Sequence, residues 1–219
     1  MNKNEKLEFI DSCYEKELLT DEYFKNIQEL CQDKDAEVRM RVSELLGAFL
    51  SERTENILLT MLDDSDYLVR ATVCDALSSS NSLDVLHHLM RLVRDKRVIV
   101  RGYAVLSVAD VKRNIKVNTE NIVAFLEERL RSEKSNWVRI ALYRSLILLG
   151  KISYTTVFLE QIEARQYRLR IFTLSLLDEL LDENVMKMTE ELNAFLKNRY
   201  FLEESYAVKC KLFCIMDKY

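Results

Sequence analysis

A Val-Arg dipeptide recurs along this chain at near-regular spacing, and this feature constrains the fold more than any other. Successive basic residues of the series lie 31, 31, 38, 31 and 39 positions apart. A period of this length is typical of proteins built from stacked helix pairs. The four clear copies and the two looser ones are Val38-Arg39, Val69-Arg70, Val100-Arg101, Val138-Arg139, Leu169-Arg170 and Val208-Lys209.

When the units are aligned on the basic residue, they share further columns. Apolar residues stand one position before it and three and seven positions after it, which makes a single stripe along an α-helix. Each unit therefore ends in an amphipathic helix that is entered through a polar turn, and another helix precedes that turn. An acid also stands six positions before the basic residue in all units but the fifth, which has Ala164; the acids are Asp33, Asp64, Asp95, Glu133 and Glu203.

The composition agrees with helices and argues against sheets. The 219 residues include three glycines and no proline, whereas sheet-rich folds use both for their turns. Hydrophobic residues make up 48% and charged residues 31%, so the chain is not expected to be disordered. Five cysteines without a CxxC pair indicate small buried thiols in a reducing compartment. We expect no metal, no cofactor, no membrane span and a cytoplasmic location.

The pattern Asp-x-x-x-x-Val-Arg-x-x-apolar, with Leu four residues later, resembles the HEAT repeat, particularly its bacterial and PBS-lyase-type variants. The resemblance covers about residues 20–219. It implies an all-α fold, a right-handed α-α superhelix of about six helix pairs with an additional N-terminal helix. The chain would then be a single solenoid domain, with repeats at approximately 20–50, 51–80, 82–111, 118–150, 153–181 and 184–219.

The resemblance also implies a structural ladder, in which the basic and acidic columns link successive inter-helix turns. A cation at a helix N-terminus is unfavourable, and we expect the acid six residues earlier to compensate it. Ala164 and Lys209 place this ladder in question in the fifth and sixth units. Its predicted members are Arg39, Arg70, Arg101, Arg139, Asp33, Asp64, Asp95 and Glu133.

Stacking would also make the second helices a shared concave wall, and the resemblance implies that a protein partner binds there. The sequence therefore predicts a non-enzymatic scaffold or adaptor. Aromatic residues at outward positions fit an interface; the alternative is a shifted register that buries them. The predicted partner-binding residues, two and five positions past the basic column, are Arg41, Tyr103, Leu106, Arg144 and Phe172.

Charge is distributed unevenly along the chain. The net charge is −4, but residues 1–66 carry −9 and residues 67–170 carry +8. The basic patch Arg91, Arg94, Lys96 and Arg97 would suit nucleic-acid phosphate or an acidic protein surface. The alternative is a solvated surface, and a pI of 5.5 fits a DNA-binding protein poorly.

Enzymatic functions of HEAT-like proteins leave weaker signals. A DNA glycosylase would need a carboxylate such as Asp110 beside aromatic residues, and a pocket pairing Asp110 or Glu160 with an aromatic ring would distinguish an enzyme. His87 and His88 are adjacent and have no following Glu, so they do not form the iron motifs of deoxyhypusine hydroxylases. Nucleic-acid binding or glycosylase-like activity therefore stays the alternative, for which the candidate aromatic residues are Tyr103, Trp137, Tyr143 and Tyr167.

The last helix, predicted over residues 204–219, is rather apolar for the end of a solenoid. The sequence therefore also predicts a homodimer through the C-terminal end as one option.

Overall fold

The computed structural model describes residues 1–115 and 120–219, the latter with side chains from residue 121 onward. These residues form α-helices, short 3-10 turns and loops, and no strand occurs among them. The predicted all-α class is confirmed. The helices are α1 Lys3–Cys13, α2 Asp21–Leu30, α3 Ala36–Ala48, α4 Glu52–Met61, α5 Tyr67–Ala76, α6 Leu83–Leu92, α7 Val98–Asn114, α8 Glu120–Ser132, α9 Asn136–Leu148, α10 Thr155–Leu159, α11 Tyr167–Asp182, α12 Glu190–Leu202 and α13 Tyr206–Lys218.

The chain forms two compact units, Met1–Thr119 and Glu120–Tyr219. In the first, α1 is followed by the pairs α2/α3, α4/α5 and α6/α7, and the second helices α3, α5 and α7 pack in succession. In the second, the pairs are α8/α9, α10/α11 and α12/α13, and α9, α11 and α13 pack in the same order. Six helix pairs and an N-terminal helix, as the sequence predicts, make this an α-solenoid fold. The predicted start of the fourth repeat, residue 118, lies outside the described residues.

The apolar columns of the repeat form the core of each unit. In α3, for example, Val38, Val42 and Leu46 are fully buried, and the corresponding Val69, Val73 and Leu77 continue this layer in the second pair. Burying one such aliphatic side chain stabilises the fold by about 1.5–3 kcal/mol. Because one helix pair cannot enclose its own stripe, the stability of each pair depends on its neighbours.

The acidic column orders the turn before five of the six second helices, a role that the sequence analysis did not predict. Each acid accepts a hydrogen bond from the backbone N–H two residues later. This local bond fixes the turn in the way that Asx-type turns do. The N···O distances are 2.9 Å for Asp33, 2.8 Å for Asp64, 2.7 Å for Asp95, 2.9 Å for Glu133 and 2.8 Å for Glu203.

Two helix ends in the second unit close with a residue in the left-handed region. After α9, Gly150 has φ 91°, its N–H donates to Ile147, and the N–H of Lys151 donates to Leu146. After α11, Asn184 has φ 56° and is held in the same way. Both ends are Schellman motifs, which satisfy the last free carbonyls of a helix. They fix the direction in which the chain leaves the helix.

Candidate partner-binding site

The arginine ladder joins neighbouring repeats and occupies the turn side of each stack. Arg39 donates to both carboxylate oxygens of Asp64, at 2.7 and 2.8 Å. Arg70 donates to Asp95 in the same bidentate way, at 3.0 and 3.2 Å. In both cases the carboxylate belongs to the following repeat, 25 residues along the chain. These ion pairs therefore link neighbouring repeats.

The prediction that each arginine is compensated by the carboxylate six residues earlier in its own repeat is wrong in one detail, the group of the acid that the arginine contacts. The acid six residues earlier meets its arginine through the backbone carbonyl, as in the 2.6 Å bond from Arg39 to the Asp33 oxygen and the 2.7 Å bond from Arg70 to the Asp64 oxygen. Arg101 donates to the carbonyl of Asp95 at 3.0 Å. The carboxylate of Asp64 is already engaged by Arg39 and by the turn, so only the carbonyl is left for the arginine of its own repeat.

The irregular fifth and sixth units keep part of the ladder. Since Ala164 offers no carboxylate, Arg139 donates to the hydroxyl of Tyr143 at 2.8 Å. Arg170 nevertheless reaches Glu203 at 2.6 and 2.8 Å, although Glu203 has almost no exposed surface. Arg170 therefore continues the ladder from the fifth repeat to the sixth, where the sequence had left it in question.

Of the predicted partner-binding residues in the second unit, Arg144 does not lie at the surface. It is 3% exposed, because α11 packs over this part of α9, and it forms an ion pair with Glu179 at 3.3 Å. Its expected outward position is therefore wrong. Phe172 is partly exposed and stacks on Trp137, with ring centroids 4.6 Å apart and planes 18° apart. The stacked pair spans the fourth and fifth repeats.

In the first unit, the three predicted residues are all partly exposed. Arg41 is held by Asp11 at 2.7 Å and by Glu44 at 2.8 Å. Tyr103 and Leu106 lie about one turn apart on α7. Neither is buried, so the outward register is retained here.

Acidic side chains accompany these residues on the second helices. Desolvation by the surrounding helices raises the pKa of Asp75, and the charges of Asp110 and Glu44 raise it further. Burial and then the charge of Asp75 raise the pKa of Tyr103. We call Glu44, Asp75, Tyr103, Leu106 and Asp110 the acidic face of the first unit. The sequence does not reveal this face, because its three acids come from three different repeats.

The predicted basic patch lies at the turn between α6 and α7, on the edge of the stack rather than among the second helices. Arg91, at the end of α6, forms an exposed ion pair with Asp63 at 2.9 Å. The guanidinium of Arg97 lies 5.0 Å from the ring centroid of Tyr67. Arg94 and Lys96 are exposed. These four residues therefore do not line the wall that the second helices form.

Comparison with known proteins identifies the repeat. Residues 25–109 match the family model for HEAT repeats. Residues 25–109 therefore consist of HEAT repeats. A search among curated proteins found no match. Among solved structures, the X-ray structure of YibA from Escherichia coli is 15% identical, with a TM-score of 0.59, covering 99% of this chain and 75% of that one. This similarity supports the fold alone.

Two further HEAT-like structures are more distant. The CpcE–CpcF complex of the phycocyanin lyase from Nostoc sp. PCC7120 has a TM-score of 0.46 at 15% identity, covering 93% of this chain and 96% of that one. Human deoxyhypusine hydroxylase in complex with glycerol has a TM-score of 0.41 at 15% identity, covering 99% and 97%. Neither similarity carries an activity over to this chain.

The constellation that a glycosylase-like HEAT protein would need is only partly present. Tyr143 is buried and engaged by Arg139, so its ring offers no platform for a base. Tyr167 is 46% exposed at the start of α11. Asp110 and Tyr103 share the acidic face. Glu160, however, lines a groove with Phe195, which is the kind of pocket that the sequence analysis named as a sign of an enzyme.

No cluster of three or more metal-ligating side chains occurs among the residues that the structure describes. The five cysteines are free thiols. Cys13 and Cys74 are buried, but Cys210 and Cys214 are exposed on α13, so the expectation of uniformly buried cysteines is wrong. Burial raises the pKa of the Cys31 thiol to about 12. No described helix is both long and apolar enough to cross a membrane.

One substitution in the acidic face is expected to stabilise the folded chain. The pKa of Asp75 is raised above its ordinary value of 3.8, so ionisation of this carboxylate costs the folded state free energy at neutral pH. Asp75→Asn should raise the free energy of unfolding by about 0.5 kcal/mol at pH 7, a small value because the Asp75 side chain, although the neighbouring helices partly desolvate it, is exposed enough for water to screen its charge. Below pH 3.8 the carboxyl is protonated in both states and the gain should vanish. Thermal unfolding at pH 7 and pH 3 measures both values.

The exposed Glu128→Gln in α8 serves as the matched control, and its melting temperature should change little at either pH. A gain from Asp75→Asn that persists at pH 3 would contradict the electrostatic explanation.

Proposed function

We propose that this protein is a non-enzymatic HEAT-repeat scaffold that holds a protein partner on the acidic face of its first unit. The observation that carries the proposal is that Tyr103 and Leu106 stay partly exposed on α7. Tyr103 lies near Asp75, whose charge is in turn affected by Glu44 and Asp110. An apolar and aromatic centre with a charged border is the usual anatomy of a protein interface. A matching partner would present Lys or Arg around an apolar contact.

The second unit offers a further contact surface of the same kind. The partly exposed Trp137–Phe172 stack supplies a rigid aromatic area, and tryptophan is enriched among residues that dominate binding energy. Arg144 is buried and is part of the scaffold rather than of the contact. We infer that Phe172, of the two residues predicted here, contacts a partner.

Two other features of the proposal stay predictions. Five free thiols support a reducing, cytoplasmic setting. A homodimer through the C-terminal end is supported by the exposure of Phe201, Tyr206 and Phe213. Neither feature is needed for binding at the acidic face.

The test is affinity capture with the full chain immobilised and a lysate of the source organism, followed by mass spectrometry. The double variant Tyr103→Ser/Leu106→Ser should capture at least tenfold less partner than the parent chain, because the apolar centre of the interface is removed. Leu83→Ser is the matched control, since Leu83 is also an exposed apolar residue but lies on the first helix α6. Undiminished capture by the double variant would refute the proposal.

The nucleic-acid alternative gives a different result. Our proposal expects no retention of the chain on duplex DNA even at low salt. Retention that weakens steeply with salt, and that is lost in Arg94→Glu/Lys96→Glu, would instead assign phosphate binding to the basic patch.

A further inference from the structure

A groove lies in the second unit between the first-helix elements of the fifth and sixth repeats. Its volume is about 530 Å³. Leu159 and Met186 contribute to an apolar lining, together with Phe195 on α12. The groove is open to solvent at one edge, where Ile152 is 75% exposed. We call it the first-helix groove.

The first helix of the fifth repeat, which forms one wall of the groove, is broken. The other first helices are regular and have 10 to 13 residues. Here a 3-10 turn, Ile152–Tyr154, leads into the five-residue α10, and a second 3-10 turn, Glu160–Glu163, ends it. Breaks of this kind are common at functional sites and interrupt the side-chain packing that a continuous helix would provide.

The opposite wall of the groove is held in place by the backbone. The Schellman end of α11 directs the N–H groups of Val185 and Met186 to the carbonyl of Leu180, at 2.9 and 3.0 Å. Thr189 then caps α12 by accepting from the N–H of Leu192 at 3.1 Å. The connection between these two caps is therefore fixed at both ends. A preformed wall lowers the entropy cost of binding.

The border of the groove is acidic. Glu160, Glu163 and Glu191 lie on it, against a single cation, Lys187. All four are exposed, and none of the three carboxylates has an ion-pair partner in the described part of the chain. An apolar channel with a net negative border is complementary to a ligand that combines apolar and cationic groups.

We propose that the first-helix groove binds an amphipathic helix of a partner protein. Its apolar side chains enter the channel beside Met186 and Phe195, and its Lys or Arg residues face the three carboxylates. An open channel between helical elements suits a helix better than a small molecule, because helix-in-groove recognition uses apolar anchors along one face. Methionine at such a surface adapts to different anchors. The proposal is independent of the acidic face of the first unit.

Two labelled 14-residue peptides of helical pattern serve as probes. Both carry leucine at positions i, i+3, i+4 and i+7, and the remaining positions are lysine in one and glutamate in the other. Fluorescence anisotropy with the full chain should show the leucine–lysine peptide binding at least tenfold more tightly. Equal affinity for the two peptides would overturn the proposal.

Substitutions then locate the binding. Glu163→Lys/Glu191→Lys should weaken the binding of the leucine–lysine peptide at least tenfold and strengthen the binding of the leucine–glutamate peptide. Glu204→Lys is the matched control, because Glu204 is an exposed acid of the same unit that does not line the groove. Phe195→Asp should weaken both peptides, with circular dichroism verifying the fold. Glu163 and Glu191 are both exposed, so replacing them should not disturb the hydrophobic core.

Three other outcomes contradict the proposal. Loss of peptide binding in Tyr103→Ser/Leu106→Ser with no loss in the groove variants would place the binding at the acidic face of the first unit. Unchanged affinity in all variants would show nonspecific binding. Binding of phenethylamine that Phe195→Asp abolishes, without any peptide binding, would make the groove a small-molecule site.

Discussion

Replacing Arg70 by methionine is expected to lower the free energy of unfolding by about 3 kcal/mol. Arg70 and its partner Asp95 have only 8% and 10% of their side-chain surface exposed. Removing the guanidinium leaves the Asp95 carboxylate and the Asp64 carbonyl without their donor in a poorly solvated place. Breaking a buried ion pair by deleting one partner typically costs about 3–5 kcal/mol, most of it from the charge left behind. Urea unfolding followed by circular dichroism measures the change.

The control for this prediction is Arg91→Met. Arg91 also pairs with an aspartate of another helix, Asp63, but both side chains are more than half exposed. Exposed pairs contribute about 0–1 kcal/mol, so this variant should unfold almost like the parent chain. Adding Asp95→Asn to Arg70→Met should recover part of the loss, because the uncompensated charge is removed. Similar losses in Arg70→Met and Arg91→Met would show that the ladder is no more than surface charge.

Gly47→Ala is expected to destabilise the chain by about 2 kcal/mol. Alanine is the better helix former by about 1 kcal/mol, so propensity alone predicts the opposite sign. A Cβ at position 47, however, would lie 2.7 Å from the Cβ and 2.8 Å from the Cα of Ala76 in α5. The second contact is with backbone, which a rotamer change does not relieve. The melting temperature should therefore fall.

The contact can be separated from helix propensity by a double variant. Ala76→Gly added to Gly47→Ala removes the Cβ–Cβ contact and should restore part of the stability, whereas Ala76→Gly alone should destabilise. Ala48→Gly, at an exposed neighbouring position, reports the propensity effect without any contact. A melting temperature of Gly47→Ala at or above that of the parent chain would refute the close approach of α3 and α5.

Gly47 also illustrates how far the sequence pattern reaches. Like Gly150, it stands near the end of a second helix, where glycine often serves as a C-cap, and Gly150 has the positive φ of that role. Gly47 instead lies inside α3, and it is the distance to α5 that requires the absence of a side chain. The spacing of helices depends on the packing of whole layers, and one position in a repeat does not reveal it.

Arg144 and Tyr103 show the same limit at the candidate site. Both stand at nominally outward positions of a second helix, five and two residues past the basic column. Arg144 is nevertheless covered by α11, while Tyr103 stays partly exposed. Helical periodicity gives the direction of a side chain from its own axis, and the neighbouring helix decides whether that direction meets solvent.

The sequence analysis named Glu160 as a possible pocket residue but could not place the first-helix groove, for a related reason. The residues Glu160, Met186 and Phe195 are far apart in the chain and belong to no motif. What brings them together is a first helix broken by 3-10 turns and a connection held by Asn184 in the left-handed region.

The sequence by itself determined the helical class, the number of helix pairs and the buried columns. These follow from local periodicity, because a stripe that recurs with the repeat can be buried only between stacked layers. The tertiary structure alone decided which repeat each ladder acid bonds to, which outward residues stay exposed, and where a groove opens. Those properties depend on distances between helices of different repeats, which packing sets and local sequence does not encode.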